Sequence, residues 1–278
     1  MPSAAVDDRI KSVPHPAPSV TGRPLLQTRL ARSEADLRAA QRLRYDVFVA
    51  EMGGDGDMVD HAARLEADRF DPFYDHLLLI DPARDPARLE HVVGVYRLMP
   101  GTRAKAAGGF YSATEYDLTS LLRSGRRLLE LGRSCIHPGY RGSVAMLHLW
   151  NAVADYVRAH DIELLFGVAS FPGTDVDALA LPLSWLHRHH LAPEPVRVRT
   201  LPQVHQPMDL IPVTPADRAR AMAATPALIR AYLRLGGFVG DGAFVDHRFR
   251  TTDVFLMLDT AAMPNRRRAF HTRAAPGR

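Results

Sequence analysis

The stretch LGRSCIHPGYRGS, residues 131–143, indicates how this chain of 278 residues folds. Apolar and small residues lead to Ile136, a His-Pro-Gly turn follows, and apolar residues then recur at helical spacing beyond Gly142. A strand that turns directly into a helix leaves backbone N–H groups free where the helix dipole favours an anion, and Arg141 adds positive charge. The segment therefore predicts either an anion site or an ordinary β–α turn capped by Ser143.

Outward from this turn, the hydrophobic pattern predicts strands that form one sheet and helices that pack against it. Alternating or continuous apolar runs predict strands at 76–81, 91–99, 127–136, 163–170, 238–246 and 252–258. Helical spacing and capping residues predict helices at 33–50, 112–122, 142–160 and 226–235, with Ser33 and Ser112 as N-caps. Residues 171–225 are rich in proline and are predicted to be an insertion. The fold class is therefore α/β or, in the looser sense, α+β.

The two ends of the chain differ in composition from its middle. Residues 1–25 contain five prolines and few large apolar side chains, which predicts a mobile arm. Residues 26–263 are predicted to form a single domain. Residues 264–278 hold five arginines and no acid, and without them the chain has 30 basic and 31 acidic residues. This tail is either simply solvated and mobile or attracted to an anionic surface, whether membrane lipid or an acidic protein.

Composition also excludes several classes of protein. With Cys135 as the only cysteine, the chain forms no internal disulfide and no cysteine metal cluster, which suits the cytoplasm. No apolar run reaches the roughly 18 residues of a membrane-spanning helix, and no signal peptide is recognisable at the start. The sequence has no Gly-x-Gly-x-x-Gly after a strand, no Gly-x-Ser-x-Gly and no basic-aromatic pattern for nucleic acid. Metal binding by the histidines at 187–190 is not expected, because adjacent side chains on a helix point in different directions.

Two segments resemble signatures of the GNAT acyltransferases. IHPGYRG, residues 136–142, resembles their coenzyme-binding motif, and YLRLGGF, residues 232–238, resembles their helix tyrosine before a Leu-Gly-Phe turn. Further segments together resemble the ornithine lipid N-acyltransferases over residues 26–260 and, more distantly, the acyl-homoserine lactone synthases over 44–141. These segments are RYDVF (44–48), DPFYDH (71–76), GVYRL (94–98), GFYS (109–112), LELGRS (129–134), FPGTD (171–175) and GDGA (240–243). The resemblance implies a GNAT-like mixed, mostly antiparallel central sheet with helices on both faces.

The resemblance also implies an activity. The expected reaction moves a 3-hydroxy fatty acyl group from acyl carrier protein to the α-amine of L-ornithine, giving lyso-ornithine lipid in the first step of ornithine lipid biosynthesis. Three alternatives stay open: another amino acid acceptor such as glutamine, lysine or glycine, an acyl-homoserine lactone synthase, and a non-catalytic module that binds acyl carrier protein or lipid. The expected location is the cytoplasm, with a peripheral position on the inner face of the cytoplasmic membrane as an option.

No tightly bound cofactor is expected, since the carrier protein supplies its own 4'-phosphopantetheine. The GNAT motif usually continues with further glycines, whereas side chains follow Gly142 here. Fewer glycines fit a donor with a single phosphate better than a pyrophosphate that the backbone must approach closely. The donor-binding residues implied by the motif are His137, Tyr140, Arg141, Gly142 and Ser143.

Amide formation needs a base for the amine, donors for the oxyanion and a proton for the leaving thiolate. The resemblance makes Glu130 the base, through a water, with Arg133 orienting it; the alternative is an ion pair between Glu130 and either Arg133 or Arg97. Tyr232 is the candidate acid for the thiolate or else a core tyrosine. Backbone N–H groups near 134–137 are candidate oxyanion donors.

Acceptor binding is predicted at three groups of residues. Arg44 and Arg97 either bind a substrate carboxylate or form structural ion pairs. The acidic stretch 51–75 either attracts the side-chain ammonium of ornithine or is a solvated loop; its candidates are Glu66, Asp68, Asp71 and Asp75. Phe48 and Phe110, with Phe70, Phe73 and Tyr111, either line an acyl groove or belong to the core. Ser170, at the end of a predicted strand, completes the predicted substrate contacts.

Overall fold

A computed structural model describes residues 25–142 and 144–261. The predicted tail and all of the predicted arm except residue 25 lie outside the described residues, as does Ser143.

The described residues form eleven strands and seven α-helices. The strands are β1 (Gln27–Leu30), β2 (Val59–Asp60), β3 (Leu65–Glu66), β4 (Asp75–Ile80), β5 (Val92–Pro100), β6 (Tyr116–Asp117), β7 (Leu128–Ile136), β8 (Leu164–Pro172), β9 (Arg199–Thr200), β10 (Phe238–Asp246) and β11 (Thr251–Asp259). The helices are α1 (Glu34–Arg44), α2 (Gly101–Ala104), α3 (Thr119–Leu122), α4 (Ala145–Ala159), α5 (Ala180–His190), α6 (Arg218–Ala224) and α7 (Ala227–Arg234).

Nine of these strands form one sheet in the order β1-β4-β5-β7-β8-β11-β10-β9-β6, while β2 and β3 pair separately. Neighbours in the large sheet run antiparallel, except that β7 is parallel to β8 and β9 is parallel to β10. The expected mixed, mostly antiparallel sheet is therefore confirmed. The predicted insertion at 171–225 contributes α5, β9 and α6.

Most predicted helices and strands are confirmed to within a few residues. Ser33 caps α1 as expected, since its hydroxyl accepts a hydrogen bond from Asp36 N at 3.2 Å. The predicted helix at 33–50 ends earlier as an α-helix, and Tyr45–Glu51 continue it as a wider π-helical turn.

The helix predicted at 112–122 is wrong. A short 3₁₀ turn at Tyr111–Thr114, the two-residue strand β6 and the single-turn helix α3 occupy this segment. The N–H of Ser112 donates to Glu130 Oε1 at 2.6 Å, so the predicted cap residue is held by another strand. A long-range hydrogen bond to a buried carboxylate overrides the local helical pattern here.

Side chains of the sheet divide between two faces. One face packs against α4 and α7 through apolar residues of alternate positions, among them Leu129, Leu131, Leu165 and Leu256. The other face carries two separate apolar clusters. One cluster lies under α1, and the other lies under the segment between β5 and β7. Because strand side chains alternate, Arg97, Glu130 and Asp253 fall on this second face.

The sheet opens between β7 and β8. These two strands pair only where Leu128–Glu130 lie beside Leu164–Phe166. Beyond that point β7 stays paired with β5 up to Ile136, while β8 stays paired with β11 up to Pro172. A Cβ added to Gly167 would lie 2.1 Å from the carbonyl oxygen of Leu131, so only glycine allows the strands to approach before they diverge. The divergence leaves a cleft that connects the two faces of the sheet.

Candidate active site

Glu130 lies on the last residue pair before this cleft and is 1% exposed. Its carboxylate accepts hydrogen bonds from three donors. Tyr111 N donates at 2.9 Å, Ser112 N donates at 2.6 Å, and the hydroxyl of Tyr74 makes a further short hydrogen bond. Burial, followed by the facing carboxylate of Glu130, raises the pKa of Tyr74 well above its usual range. Tyr74 therefore stays protonated and holds its proton toward Glu130.

Arg133 does not contact Glu130, although the sequence predicts that it orients this residue. Its Nε donates to Glu66 at 3.1 Å, and its Nη2 lies 3.7 Å from Asp68. Among the described residues, no ion pair joins Glu130 to Arg97 either. Arg133 has φ of +50°, which is unusual for a residue with a side chain, and the β5–β7 register shifts beside it. This bulge turns its side chain away from the position that strand alternation would give it.

Three arginines and three carboxylates form a buried network between the two apolar clusters of this face. Arg44 is fully buried and donates to Glu66 and to Asp71, where Nη1 lies 2.7 Å from Oδ1. Arg97 is also fully buried, and its Nη1 lies 2.7 Å from both Asp68 Oδ2 and Asp71 Oδ1. With Arg133, the three positive charges match the three negative ones. The network thus satisfies the rule that buried charges are paired.

The same ion pairs control the acidity of these carboxyl groups. Burial alone would raise the pKa of Asp71, but the charges of Arg44 and Arg97 hold it well below its ordinary value. Burial would also raise the pKa of Glu66, and Arg44 and Arg133 again reverse the direction. Asp75, the fourth candidate for the ammonium site, accepts hydrogen bonds from Tyr156 and Arg103 at 2.7 Å. All four carboxylates are therefore paired within the chain rather than solvated, and their binding of an ammonium group stays a prediction.

Arg97 keeps two donors unused. Its Nε and Nη2 are buried and have no hydrogen-bond partner among the described residues. Its guanidinium carbon lies 4.3 Å from the ring centre of Tyr74. A Cβ added to Gly132 would lie 3.9 Å from both the Tyr74 hydroxyl and Arg97 Nη2. The two unpaired N–H donors of Arg97 and the Tyr74 hydroxyl thus lie close together where β7 diverges from β8. Two such guanidinium donors fit the two oxygens of a carboxylate.

Tyr232 lies on the opposite face of the sheet, in α7. Its hydroxyl lies 2.8 Å from that of Tyr96, and its ring packs 5.0 Å from the ring of Trp150. Burial, then the neighbouring Tyr96, raises the pKa of Tyr232 well above its usual range. Both tyrosines line a cavity of about 470 Å³ between α4 and α7. Its other apolar lining residues include Trp150, Val153, Val157, Leu165, Leu235 and Leu258.

The turn after β7 contains the predicted donor-binding residues. Pro138–Tyr140 form a 3₁₀ turn, and the ring of His137 accepts a hydrogen bond from Gly139 N at 3.1 Å. Tyr140 is buried and donates its hydroxyl hydrogen bond to Asp81. Arg141 forms a two-pronged ion pair with the exposed Glu51, at 2.5 and 2.7 Å.

Gly142 has φ of +71° and no atom near an added Cβ, so it faces open space. The backbone of the turn is thus exposed at Gly142, while the charge of Arg141 is already paired with Glu51. An anion at this turn would have to share Arg141 with that carboxylate.

Four of the five predicted acyl-groove residues lie in or against one apolar cluster: Phe70, Phe73, Phe110 and Tyr111. Phe110 packs edge-to-face on Phe166 at 4.9 Å in the cluster beneath the segment between β5 and β7. Phe70 belongs to the same cluster, whereas Phe48 packs on the cluster beneath α1. Ser170 is exposed at the open edge of β8, opposite Asp253 of β11.

Four residues that shape the site were not singled out in the sequence: Tyr74, Tyr96, Glu115 and Asp253. Tyr74 and Tyr96 lie within segments that carry the family resemblance, but their hydrogen-bond partners are distant in the chain. Asp253 carried a recognisable signal. It is a lone acid in the strand TTDVFLML, at a position whose alternation with Phe255 and Met257 predicts burial.

No helix within residues 25–142 and 144–261 combines the length and the apolar character that crossing a bilayer requires. In the same residues, no group of three or more His, Cys, Asp or Glu side chains is placed to hold a metal ion.

Residues 43–151 match the family described as acetyltransferase (GNAT) domain. The solved structure of FeeM, an N-acyl amino acid synthase from uncultured soil microbes, is 11% identical, with 86% of this chain and 93% of that chain covered and a TM-score of 0.49. The acyl-homoserine lactone synthase LasI is 17% identical, with 87% and 96% covered and a TM-score of 0.44.

Two proteins named L-ornithine N(alpha)-acyltransferase are more similar in sequence. The protein from Rhodobacter capsulatus is 60% identical over 252 residues, which cover 91% of this chain and 96% of that protein. The protein from Brucella abortus is 44% identical over 243 residues, which cover 87% and 86% of the two chains. This chain is therefore an acyltransferase that belongs to the L-ornithine N(alpha)-acyltransferase family.

Proposed function

We propose that this acyltransferase moves a fatty acyl group from a carrier-bound thioester to the α-amine of L-ornithine. The names of its relatives support this reaction. The observation that carries the proposal is the cleft between β7 and β8, because it joins two sites of different character. Unpaired donors of Arg97, the hydroxyl of Tyr74 and the carboxylate of Glu130 lie on one side, and a tyrosine pair beside an apolar cavity lies on the other.

The acceptor binds on the side of Glu130. The Nε and Nη2 of Arg97 bind the carboxylate of the amino acid, which brings its amine toward the Tyr74 hydroxyl. Glu130 is the base that we propose, acting through Tyr74. Before attack, Tyr74 takes a proton from the α-ammonium group and passes its own proton to Glu130. The carboxylate ends protonated, the tyrosine is regenerated, and the amine becomes a neutral nucleophile.

The donor thioester enters from the side of Tyr232. The amine nitrogen forms a bond to the thioester carbon, and backbone N–H groups of the bulge around Arg133 stabilise the resulting oxyanion. Collapse of this intermediate breaks the carbon–sulfur bond. Tyr232, hydrogen-bonded to Tyr96, gives its proton to the leaving thiolate. The nitrogen of the intermediate releases its second proton to solvent, and Tyr232 regains a proton from solvent. The thiol and the amide are the products.

The cavity between α4 and α7 receives the acyl chain. Its volume of about 470 Å³ suits a fatty acyl group, and most of its lining is apolar. The Nε1–H of Trp150 is buried without a partner among the described residues and would bind a 3-hydroxyl group. The predicted phenylalanine groove is not needed for this arrangement.

Acyl carrier protein is the donor that we propose. Acyl carrier protein would bring its 4'-phosphopantetheine to the turn at His137–Gly142, where the exposed backbone and Arg141 would meet its single phosphate. The product would be lyso-ornithine lipid, made in the cytoplasm at the inner face of the cytoplasmic membrane. Attraction between the five arginines of residues 264–278 and anionic lipid or the acidic carrier supports that placement.

The test combines the purified full chain, acyl carrier protein loaded with a 3-hydroxyacyl chain, and ornithine, glutamine, lysine and glycine in separate reactions. Mass spectrometry is expected to find an N-acylated ornithine that keeps its side-chain amine. A lactone product, a preference for another amino acid, or carrier binding without turnover would each contradict the proposal. Acyl-coenzyme A in place of the carrier tests the donor.

Glu130→Gln tests the base in the same assay. We expect kcat to fall by roughly 100-fold or more. Tyr74→Phe should reproduce the loss, whereas Asp57→Asn, a change of an exposed acid, should not. If Glu130→Gln keeps kcat at saturating substrate, Glu130 is not the base.

A further inference from the structure

Two buried carboxyl groups near the proposed acceptor site have no positive partner of their own. Glu115 is 4% exposed and Asp253 is 7% exposed. Glu115 Oε2 and Asp253 Oδ1 have no hydrogen-bond partner among the described residues. Buried carboxylates in folded proteins are nearly always paired or hydrogen-bonded. Each of the two carboxyl groups thus has one buried oxygen without a partner, and a donor from outside the chain would complete the site.

The charges around this couple favour a cation. Burial, then Asp253 and Asp246, raises the pKa of Glu115 well above its ordinary value, and Glu130 acts in the same direction. Burial and Asp246 raise the pKa of Asp253 to about 6. The only positive group that counters either shift is Arg133. That guanidinium is already paired with Glu66 and Asp68.

The couple lies on the same face of the sheet as Glu130. Asp253 alternates with Phe255 and Met257, which pack on Phe166 in the cluster of that face. Glu115 directly follows the turn whose Tyr111 and Ser112 N–H groups hold Glu130. A ligand held by Glu130 and its turn would therefore extend toward Glu115 and Asp253.

The couple also has a route to solvent. Ser170 pairs with Asp253 across β8 and β11 and is exposed, and Asp246 is half-buried. As cross-strand partners, Ser170 and Asp253 have side chains on the same face of the sheet. An amino acid could thus enter along Ser170.

We propose that Glu115 and Asp253 bind the side-chain ammonium group of the acyl acceptor. This inference rests on the proposed function and adds the feature that selects a diamino acid. An ammonium group between the two carboxylates would supply the missing charge, whereas a neutral side chain would leave both buried and unpaired. In the acidic stretch 51–75, by contrast, Arg44, Arg97 and Arg133 already pair with the buried carboxylates.

The experiment compares ornithine with norvaline, which has the same carbon chain without the side-chain amine. Steady-state kinetics would be measured with the full chain as wild type, as Glu115→Gln and as Asp253→Asn. Asp57→Asn, at an exposed acid, is the matched control. Each substitution keeps the size of the side chain, and denaturant unfolding would confirm that each variant is folded.

For the wild type, we expect kcat/KM for ornithine to exceed that for norvaline by roughly 100-fold or more. Glu115→Gln and Asp253→Asn should each raise the KM for ornithine by at least about tenfold and leave norvaline kinetics unchanged or improved. The KM for ornithine should fall as pH rises through about 6, because Asp253 must be ionised to hold a cation. Asp57→Asn should match the wild type throughout.

Two kinetic results would overturn the inference. The first is equal use of norvaline and ornithine by the wild type. The second is a loss of kcat for both acceptors without a change in KM, which would assign the carboxyl groups to the chemistry. If the enzyme acylates no amino acid, the proposed function fails, and calorimetric titration with ornithine and norvaline decides the ammonium site alone. Equal or absent binding of the two amino acids would then exclude the site.

Discussion

Two groups of buried acids on one face of this sheet behave in opposite ways. Glu66 and Asp71 lie against Arg44, Arg97 and Arg133, and these arginines lower their pKa despite burial. Glu115 and Asp253 lie under the same face with no arginine of their own, and burial raises their pKa. Burial is common to both groups, so the number of positive partners decides the sign. The charges of the first group are compensated within the chain, whereas each acid of the second group keeps one buried oxygen without a partner among the described residues.

Breaking the paired group should have the largest effect. Arg44→Met would leave Glu66 and Asp71 buried without their main partner, so the free energy of unfolding should fall by about 3–5 kcal/mol. Denaturant unfolding at neutral pH measures this loss. The control is Arg248→Met at an exposed ion pair with Asp57, where the change should stay within about 1 kcal/mol. Equal losses in the two variants would show that the network does not depend on Arg44.

Neutralising an acid of the unpaired group should instead increase the stability of the protein. Asp253→Asn removes a charge that the apo protein does not compensate, so we expect the free energy of unfolding at pH 8 to rise by on the order of 1–3 kcal/mol. The same unfolding measurement applies, without amino acid present. A stability loss instead would mean that the carboxylate has a partner that the asparagine cannot replace.

The pH dependence should separate the two groups further. An acid whose pKa rises on folding destabilises the protein as pH climbs from the unfolded value, near 4, through the folded value, about 6 for Asp253. The advantage of Asp253→Asn over the wild type should therefore grow between pH 4 and pH 7 and then level off.

For Glu66 and Asp71, whose pKa is lowered, the stabilisation is present above about pH 4 and is lost as pH falls through their folded values. Urea unfolding at a series of pH values tests both trends. An advantage of Asp253→Asn that stays constant with pH would contradict the raised pKa of Asp253.

The smallest expected effect is at Ser170. Its hydroxyl lowers the pKa of Asp253, so Ser170→Ala should raise that pKa by less than about one unit. NMR titration of the Asp253 carboxyl carbon in wild type and variant measures the shift. A shift in the downward direction would show that Ser170 does not stabilise the ionised form.

The elements of the fold were predictable because their signals are local. Ser33 at the start of α1, the continuous apolar runs of β4 and β5, and the turn after Ile136 all appear in the sequence and in the structure. The segment at 112–122 was not predictable, since Ser112 leaves its helical pattern to bind Glu130 from another strand. Single residues of the site were partly predictable. Glu130, Arg97 and Tyr232 were singled out, but Tyr74, Tyr96, Glu115 and Asp253 take their roles from partners far away in the chain.

By itself, the sequence determined most of the helices and strands, because hydrophobic period and capping residues are local properties of the chain. Its resemblance to the ornithine lipid N-acyltransferases implied the mixed sheet and the acyltransferase family. Only the tertiary structure decided which charges cancel. Six charged residues spread from 44 to 133 close into one network, while Glu115 and Asp253 meet from distant segments without a counter-charge. Pairing depends on distances through space and on burial, and both are set only when the strands are in register.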